Sequence, residues 1–233
     1  MVEPLFQVKV ACPHCETHFH TSRVRPSFKK AAGTDTDFGV RYKGINPNFY
    51  VVRICPQCGF ASTENSKDRL SPAQKKAFQE KVAAQWSYKD YGGVRTWSEA
   101  LYSFKLALLC AQTVGEQGRV TAGLLHHIVW LYREKGDEEQ EKRFLQYALA
   151  EYTRAFETEA GEMNNARLMY LLGELNRRLK NYQEAVKWFG RVINDKSIMD
   201  AAMIHACREQ WAVTRENMLA DQVEFDIEEV QEK

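Results

Sequence analysis

Two Cys-x-x-Cys pairs in the first quarter of the chain constrain its fold more than any other feature. Cys12 and Cys15 form the first pair, and Cys55 and Cys58 form the second, which Gly59 follows directly. Each short turn can direct two sulfur atoms toward one point, so two turns supply the four soft ligands of a tetrahedral metal site. We therefore predict one structural Zn²⁺ ion per chain, bound by these four cysteines.

Other interpretations of the cysteines fit the pattern less well. The 39 residues between the pairs exceed the roughly 15–20 that are common in zinc ribbons, but a longer loop costs only about 0.6 kcal/mol per doubling. The first pair, with Pro13 and His14 inside it, is similar to the motif of thioredoxin-fold disulfide oxidoreductases. That chemistry needs a helix N-terminus, whereas residues 17–21 alternate like a strand. His14, His18 and His20 could replace a sulfur ligand, but four thiolates leave no vacant position. A zinc ribbon is favoured over a thiol-redox site and over unligated core cysteines.

The same argument predicts that the protein is not an enzyme and has no catalytic residues. With sulfur at all four positions, no coordination site is left for a water molecule. Asp35 and Asp37 could support acid–base chemistry, although turn capping is the more common role of aspartate, and both roles stay open. A metal-dependent or thiol-redox enzyme is therefore the second alternative function.

Charge is distributed unevenly along the 233 residues. Residues 1–98 contain 15 basic and 8 acidic side chains, whereas residues 99–233 contain 17 and 23, and residues 221–233 form an acidic tail. A basic head could contact nucleic-acid phosphates, but its cations are scattered, so nucleic-acid binding is the first alternative and is not favoured. No signal peptide and no apolar stretch of about 18 residues is present, which predicts a cytoplasmic protein without a membrane partner.

Residues 49–54 are mostly β-branched or aromatic, which predicts a strand leading into the second Cys pair. The hydrophobic period becomes helical after residue 70. Ser71 and Thr96 each begin a capping box, and Gly136-Asp137 marks a later helix boundary. Asn164 or Asn165 is predicted to open the fifth helix, and the Asn181 side chain to cap the sixth. Seven helices with short connections favour an α-solenoid over a single bundle. We predict a β-rich zinc-knuckle domain at residues 1–70 and a helical domain at 71–220.

The last helix pair resembles a tetratricopeptide repeat most closely. Leu172 and Gly173 match its first helix, and Ala185 and Phe189 match packing positions in its second helix. Small residues let two helix backbones approach closely, so Gly173 and Ala185 should be buried where the helices cross. The predicted fold class is mainly α, a tetratricopeptide-like helical solenoid with a small N-terminal β-rich zinc-knuckle domain.

Helix pairs of this kind line an inner groove with the first helix of each pair, at positions spaced i, i+4 and i+7. An aromatic residue and an arginine in each pair suit recognition of a protein or peptide partner. We therefore predict an interaction or adaptor module. The predicted groove residues are His126, Trp130, Arg133, Tyr170, Glu174 and Arg177.

Much of the chain also resembles the bacterial domain-of-unknown-function family 2225. The segments that carry this resemblance are Asp35-Thr36-Asp37-Phe38, Tyr42-Lys43-Gly44-Ile45-Asn46-Pro47 and residues 50–61, with the first Cys pair at the position of the family's first knuckle. Gly39 stands where many members carry another cysteine. The resemblance implies a bacterial protein with a zinc-knuckle head and a tetratricopeptide-like body. It implies no activity, because the family is itself uncharacterised.

Overall fold

The computed structural model describes residues 2–158 and 165–231. Within these residues, seven α-helices provide most of the secondary structure, which confirms the mainly α class. No helix in the described part of the chain is long and apolar enough to cross a membrane. The helices are α1 Pro72–Lys81, α2 Trp97–Val114, α3 Gly118–Lys135, α4 Glu138–Thr158, α5 Ala166–Arg178, α6 Tyr182–Asn194 and α7 Ala201–Gln231.

The N-terminal part is β-rich, as predicted. Six short strands among the described residues form three antiparallel two-stranded sheets, β1 with β2, β3 with β4 and β5 with β6. In the first sheet the register runs from Leu5 opposite Val24 to Ala11 opposite His18. The strands are β1 Leu5–Ala11, β2 His18–Val24, β3 Ala31–Thr34, β4 Val40–Tyr42, β5 Arg53–Ile54 and β6 Ala61–Ser62.

The chain divides into two compact units, Met1–Glu151 and Tyr152–Lys233. The predicted boundary after residue 70 lies inside the first unit. The difference arises because the hairpins and the first helices share one core: Phe78 of α1 packs edge-on against Phe60, with ring centroids 5.0 Å apart. A β-rich segment this small has few apolar side chains, so it buries them against helices.

Helix starts follow the sequence closely, with one exception. The capping boxes of Ser71 and Thr96 are both formed, and Gly136 ends α3 in the left-handed conformation. The prediction that the Asn181 side chain caps α6 is wrong. Its amide instead donates to Oδ1 of Asn176, 3.2 Å away.

The segment before the second cysteine pair also differs from its prediction. Residues 49–54 read as a strand, but only Arg53–Ile54 is extended, and Pro47–Tyr50 forms a short 3-10 helix. The side chain of Asn46 caps that helix by accepting a hydrogen bond from the backbone N–H of Asn48 at 2.9 Å. Proline at the first helical position and an asparagine cap together outweigh the β-branched composition.

In the second unit, α5 packs closely against α6, and α6 against α7. Gly173 and Ala185 are both buried, as predicted. A Cβ atom added at Gly173 would lie 2.5 Å from the Phe189 ring, so glycine is what permits the close approach. That a solenoid of equivalent pairs runs through the whole chain stays a prediction.

The C-terminal helix continues into the predicted acidic tail. Because α7 continues to Gln231, residues 221–231 of the predicted acidic tail are helical. Residues 232 and 233 lie outside the described residues. So does Asn164, one of the two residues predicted to open α5.

Candidate functional site

Each cysteine pair lies in the turn of a β-hairpin, the first between β1 and β2 and the second between β5 and β6. In the first turn, the backbone N–H of Glu16 donates to the carbonyl of Cys12 at 3.0 Å. In the second, the N–H of Gly59 donates to the carbonyl of Cys55 at 2.9 Å. Glu16 and Gly59 both have positive φ, 62° and 75°. The two turns are therefore built alike, and each directs its pair of sulfurs inward.

The two hairpins bring all four sulfur atoms together. Sγ of Cys12 lies 3.6 Å from Sγ of Cys58, and Sγ of Cys15 lies 3.6 Å from Sγ of Cys55. All four atoms lie within 4.8 Å of one another. Sulfurs bound at about 2.3 Å to one tetrahedral ion are separated by about 3.8 Å. The cluster thus has the dimensions needed to bind a metal ion.

The thiols also respond to one another electrostatically. Hydrogen bonds from Cys12 and Cys58 lower the pKa of the Cys55 thiol. The contact with Cys55, together with burial, raises the pKa of the Cys12 thiol, and contacts with Cys12 and Cys55, again with burial, raise the pKa of the Cys58 thiol. The first thiolate to form is stabilised by hydrogen bonds from the neighbouring thiols. A second thiolate would be repelled by the negative charge of the first. A bound cation removes that penalty, so metal binding would release protons from these thiols.

Two aromatic side chains that sequence reasoning missed cover the cluster. The indole N–H of Trp86 donates to the carbonyl of Pro56 at 2.9 Å, and its ring lies so close to Gly59 that an added Cβ would be 2.4 Å away. Phe78 packs against the half-buried ring of His14, with centroids 4.7 Å apart. Trp86 follows the end of α1, and no local sequence signal marks it as part of a metal site.

The three histidines near the first pair lie in different settings. Burial lowers the pKa of the His14 imidazole, while His18 and His20 are exposed on β2. They alternate along that strand, outside the group of four sulfurs that could bind an ion. The first pair sits between two strands, and it lacks the helix N-terminus that activates a redox cysteine.

A second group of chemically important residues surrounds Arg133 of α3. Its guanidinium donates two hydrogen bonds to the fully buried carboxylate of Asp37, at 2.8 and 3.0 Å, and further bonds to Asp35 at 3.0 Å and Glu141 at 2.7 Å. His126 lies 3.2 Å from Asp37. Burial lowers the pKa of Arg133, but its bonds to Asp37 and Glu141 outweigh this effect and raise it. The network ties the β3–β4 loop to α3 and α4.

The role of the two aspartates is therefore partly structural. Asp37 accepts a hydrogen bond from the N–H of Gly39 at 3.2 Å, which is the predicted turn capping. Asp35 closes the same turn through its backbone, and its side chain contacts both Arg133 and Arg41. Ion pairing with an arginine about 100 residues away had no local signal in the sequence.

A family model described as an uncharacterized protein conserved in bacteria, domain-of-unknown-function family 2225, matches residues 5–214. The chain belongs to this family. No curated protein and no solved structure matches the chain significantly. The resemblance seen in the sequence is thus confirmed.

The residues predicted to line a partner groove of this family 2225 chain differ in their exposure. His126, Tyr170 and Glu174 are buried, whereas Trp130, Arg133 and Arg177 are partly exposed. That the six residues line one partner groove stays a prediction. Glu174 is held within its own helix by Arg177 and Arg178, at 2.8 and 2.7 Å.

Trp130 and Arg133 are partly exposed and line a real cavity of about 320 Å³ in the first unit. One wall is the strand β4, and the other is α3. Gly39 lets the two walls meet, since an added Cβ would lie 2.8 Å from the Trp130 ring. The cavity is lined by Asp35, Gly39, Val40, Arg41, Tyr42, Asn46, Asn48, Trp130, Leu131, Arg133 and Glu134. We call it the β4–α3 groove.

Proposed function

We propose that this protein is a zinc-stabilised interaction module, with one structural Zn²⁺ per chain and no catalysis at the metal. The observation that carries the proposal is the cluster of four cysteine sulfurs, all within 4.8 Å of one another. An all-sulfur tetrahedral donor set is typical of zinc or of iron–sulfur centres. The short separation between the sulfurs favours a single ion, because all four can then bond to one centre.

The surroundings of the cluster support a structural role for the metal. Cys12, Cys55 and Cys58 are buried, and the Trp86 and Phe78 rings pack beside them. Four thiolates fill the tetrahedron, so a substrate or water has no position to occupy. Structural zinc contributes about 10–16 kcal/mol to folding in small domains. We place the protein in a reducing compartment such as the cytoplasm, where the thiols stay available for metal.

Metal analysis of purified protein tests the zinc assignment. The wild type should contain about one zinc per chain, and Cys55→Ser should lose most of it. Cys207→Ser is the matched control, since Cys207 is equally buried but belongs to the other unit. Undiminished zinc in Cys55→Ser, or iron in place of zinc in the wild type, would contradict the assignment.

The interaction role needs a separate measurement. Tagged, zinc-loaded protein should capture a specific partner from bacterial lysate, and the purified partner should bind it in a calorimeter. Binding of random-sequence nucleic acid that weakens steeply with added salt would instead favour the nucleic-acid alternative. Turnover of a substrate that disappears with the metal would favour an enzyme.

A further inference from the structure

We propose that the β4–α3 groove binds an extended, acidic peptide segment of a partner protein, which adds to β4 as a new strand. This inference rests on the proposed interaction function and gives its partner a defined chemistry. The groove combines an open strand edge with a helix wall, an arrangement that suits β-strand addition.

The strand edge is available because β4 pairs with β3 on one side, and the described residues place no strand on the other. Gly39 accepts a backbone hydrogen bond from Asp35, and the N–H of Lys43 donates to Lys30. Backbone groups of an antiparallel strand alternate in direction. Those of Val40 and Tyr42 therefore point away from β3, and both residues line the groove.

The helix wall supplies apolar surface in a fixed position. The Trp130 ring lies against His126 and His127, with ring centroids 4.7 and 4.6 Å apart, so its orientation is set by packing. Leu131, which is buried, and Val40 also line the groove. Beside them, Arg133 is held by its carboxylate network. An apolar side chain of an added strand could pack on this wall without rearranging it.

The charged side chains beside the groove indicate which kind of peptide it would bind. Arg41 is 69% exposed and makes one ion pair, at 3.3 Å, with Asp35. Lys30 and Lys43 are exposed at the adjoining end of the hairpin, and neither forms an ion pair within the described residues. The carboxylate of Asp35 is already shared by two arginines. Glu134 also lines the groove, and its carboxylate accepts a hydrogen bond from the Asn46 amide at 2.9 Å. The charges beside the strand edge that lack a carboxylate partner among the described residues are those of Lys30 and Lys43, and these complement an acidic segment.

The test uses the full, zinc-loaded chain and a displayed library of random dodecapeptides. Enriched peptides should be acidic and of alternating, strand-like pattern. Arg41→Glu should weaken their binding about tenfold or more, while Lys9→Glu, the same charge change on β1, should leave it within about twofold. Val40→Pro should also weaken binding, since it removes an outward N–H that the β3 ladder does not use.

Hydrogen exchange provides a readout that does not depend on the variants. Bound peptide should slow amide exchange at Val40 and Tyr42, and zinc content and helicity should show that Arg41→Glu remains folded. Enrichment of basic peptides, or equal binding by wild type and Arg41→Glu, would contradict the proposal that the groove binds an acidic peptide. If the captured partner binds all groove variants equally, the interaction function stands without the groove. If neither library nor lysate yields a binder, both proposals fail.

Discussion

Substitution of Gly173 by alanine should destabilise the second unit, although the same change stabilises most helices. Alanine is normally better than glycine in a helix interior by about 1 kcal/mol. Here the new Cβ would lie 2.5 Å from a ring carbon of Phe189, which is fully buried and packed between α5 and α6. Overpacking of this kind costs about 1–3 kcal/mol. The two effects together leave Gly173→Ala up to about 2 kcal/mol less stable than wild type.

Gly190→Ala is the matched control, because Gly190 lies on α6 in the same unit. An added Cβ there has its nearest neighbour at 4.0 Å, the amide nitrogen of Asn194. It should therefore stabilise the unit by up to about 1 kcal/mol. Urea unfolding followed by circular dichroism would measure both midpoints. The reasoning fails if Gly173→Ala raises the midpoint as Gly190→Ala does.

A double-mutant cycle would locate the strain. Phe189→Leu removes the ring that meets the new Cβ, so Gly173→Ala should cost less in that background than in the wild type. Residues in direct contact typically show coupling of about 0.5–3 kcal/mol. Purely additive effects would indicate that the loss comes from elsewhere in the unit.

Two further predictions concern the first unit. Gly59→Ala should reduce zinc affinity, because the new Cβ would lie 2.4 Å from a ring carbon of Trp86. Gly44→Ala, at a similar positive φ but in open space, should leave the affinity unchanged. Competition with a chelator measures both affinities. Asp37→Asn should lower the free energy of unfolding by about 3 kcal/mol, since it leaves a partly buried arginine without its closest charge, whereas Asp35→Asn should cost less than about 1 kcal/mol. Equal losses for the two aspartates in denaturant titrations would show that burial of Asp37 does not determine the cost.

Local signals in the sequence were sufficient for most helix boundaries and for the cysteine cluster. The capping boxes at Ser71 and Thr96 depend on side chains three residues apart, so their geometry is determined by residues close together in the sequence. The Cys-x-x-Cys turns are similarly short. Metal-ligand chemistry then restricts which turns can meet, and the pairing of Cys12 with Cys58 and of Cys15 with Cys55 follows from two hairpins facing each other.

The sequence did not show which helix faces are buried inside the protein and which are exposed. The periodicity of His126, Tyr170 and Glu174 is that of a helix face, but periodicity does not say whether the face packs against the protein or against a partner. The strand predicted at residues 49–54 is mostly absent for a local reason. The Asn46 cap and Pro47 favour a 3-10 helix there, although the residues themselves are mostly β-branched or aromatic.

What the sequence alone determined is the set of features that depend on neighbours in the chain: helix starts, hairpin turns, and the two cysteine pairs of the sulfur cluster. The tertiary structure decided which distant groups meet. It brought Arg133 to Asp37, 96 positions away, placed Trp86 over Gly59, and set α3 beside the open edge of β4. These contacts depend on how apolar surfaces from separate elements fill one core, and no short stretch of sequence contains that information.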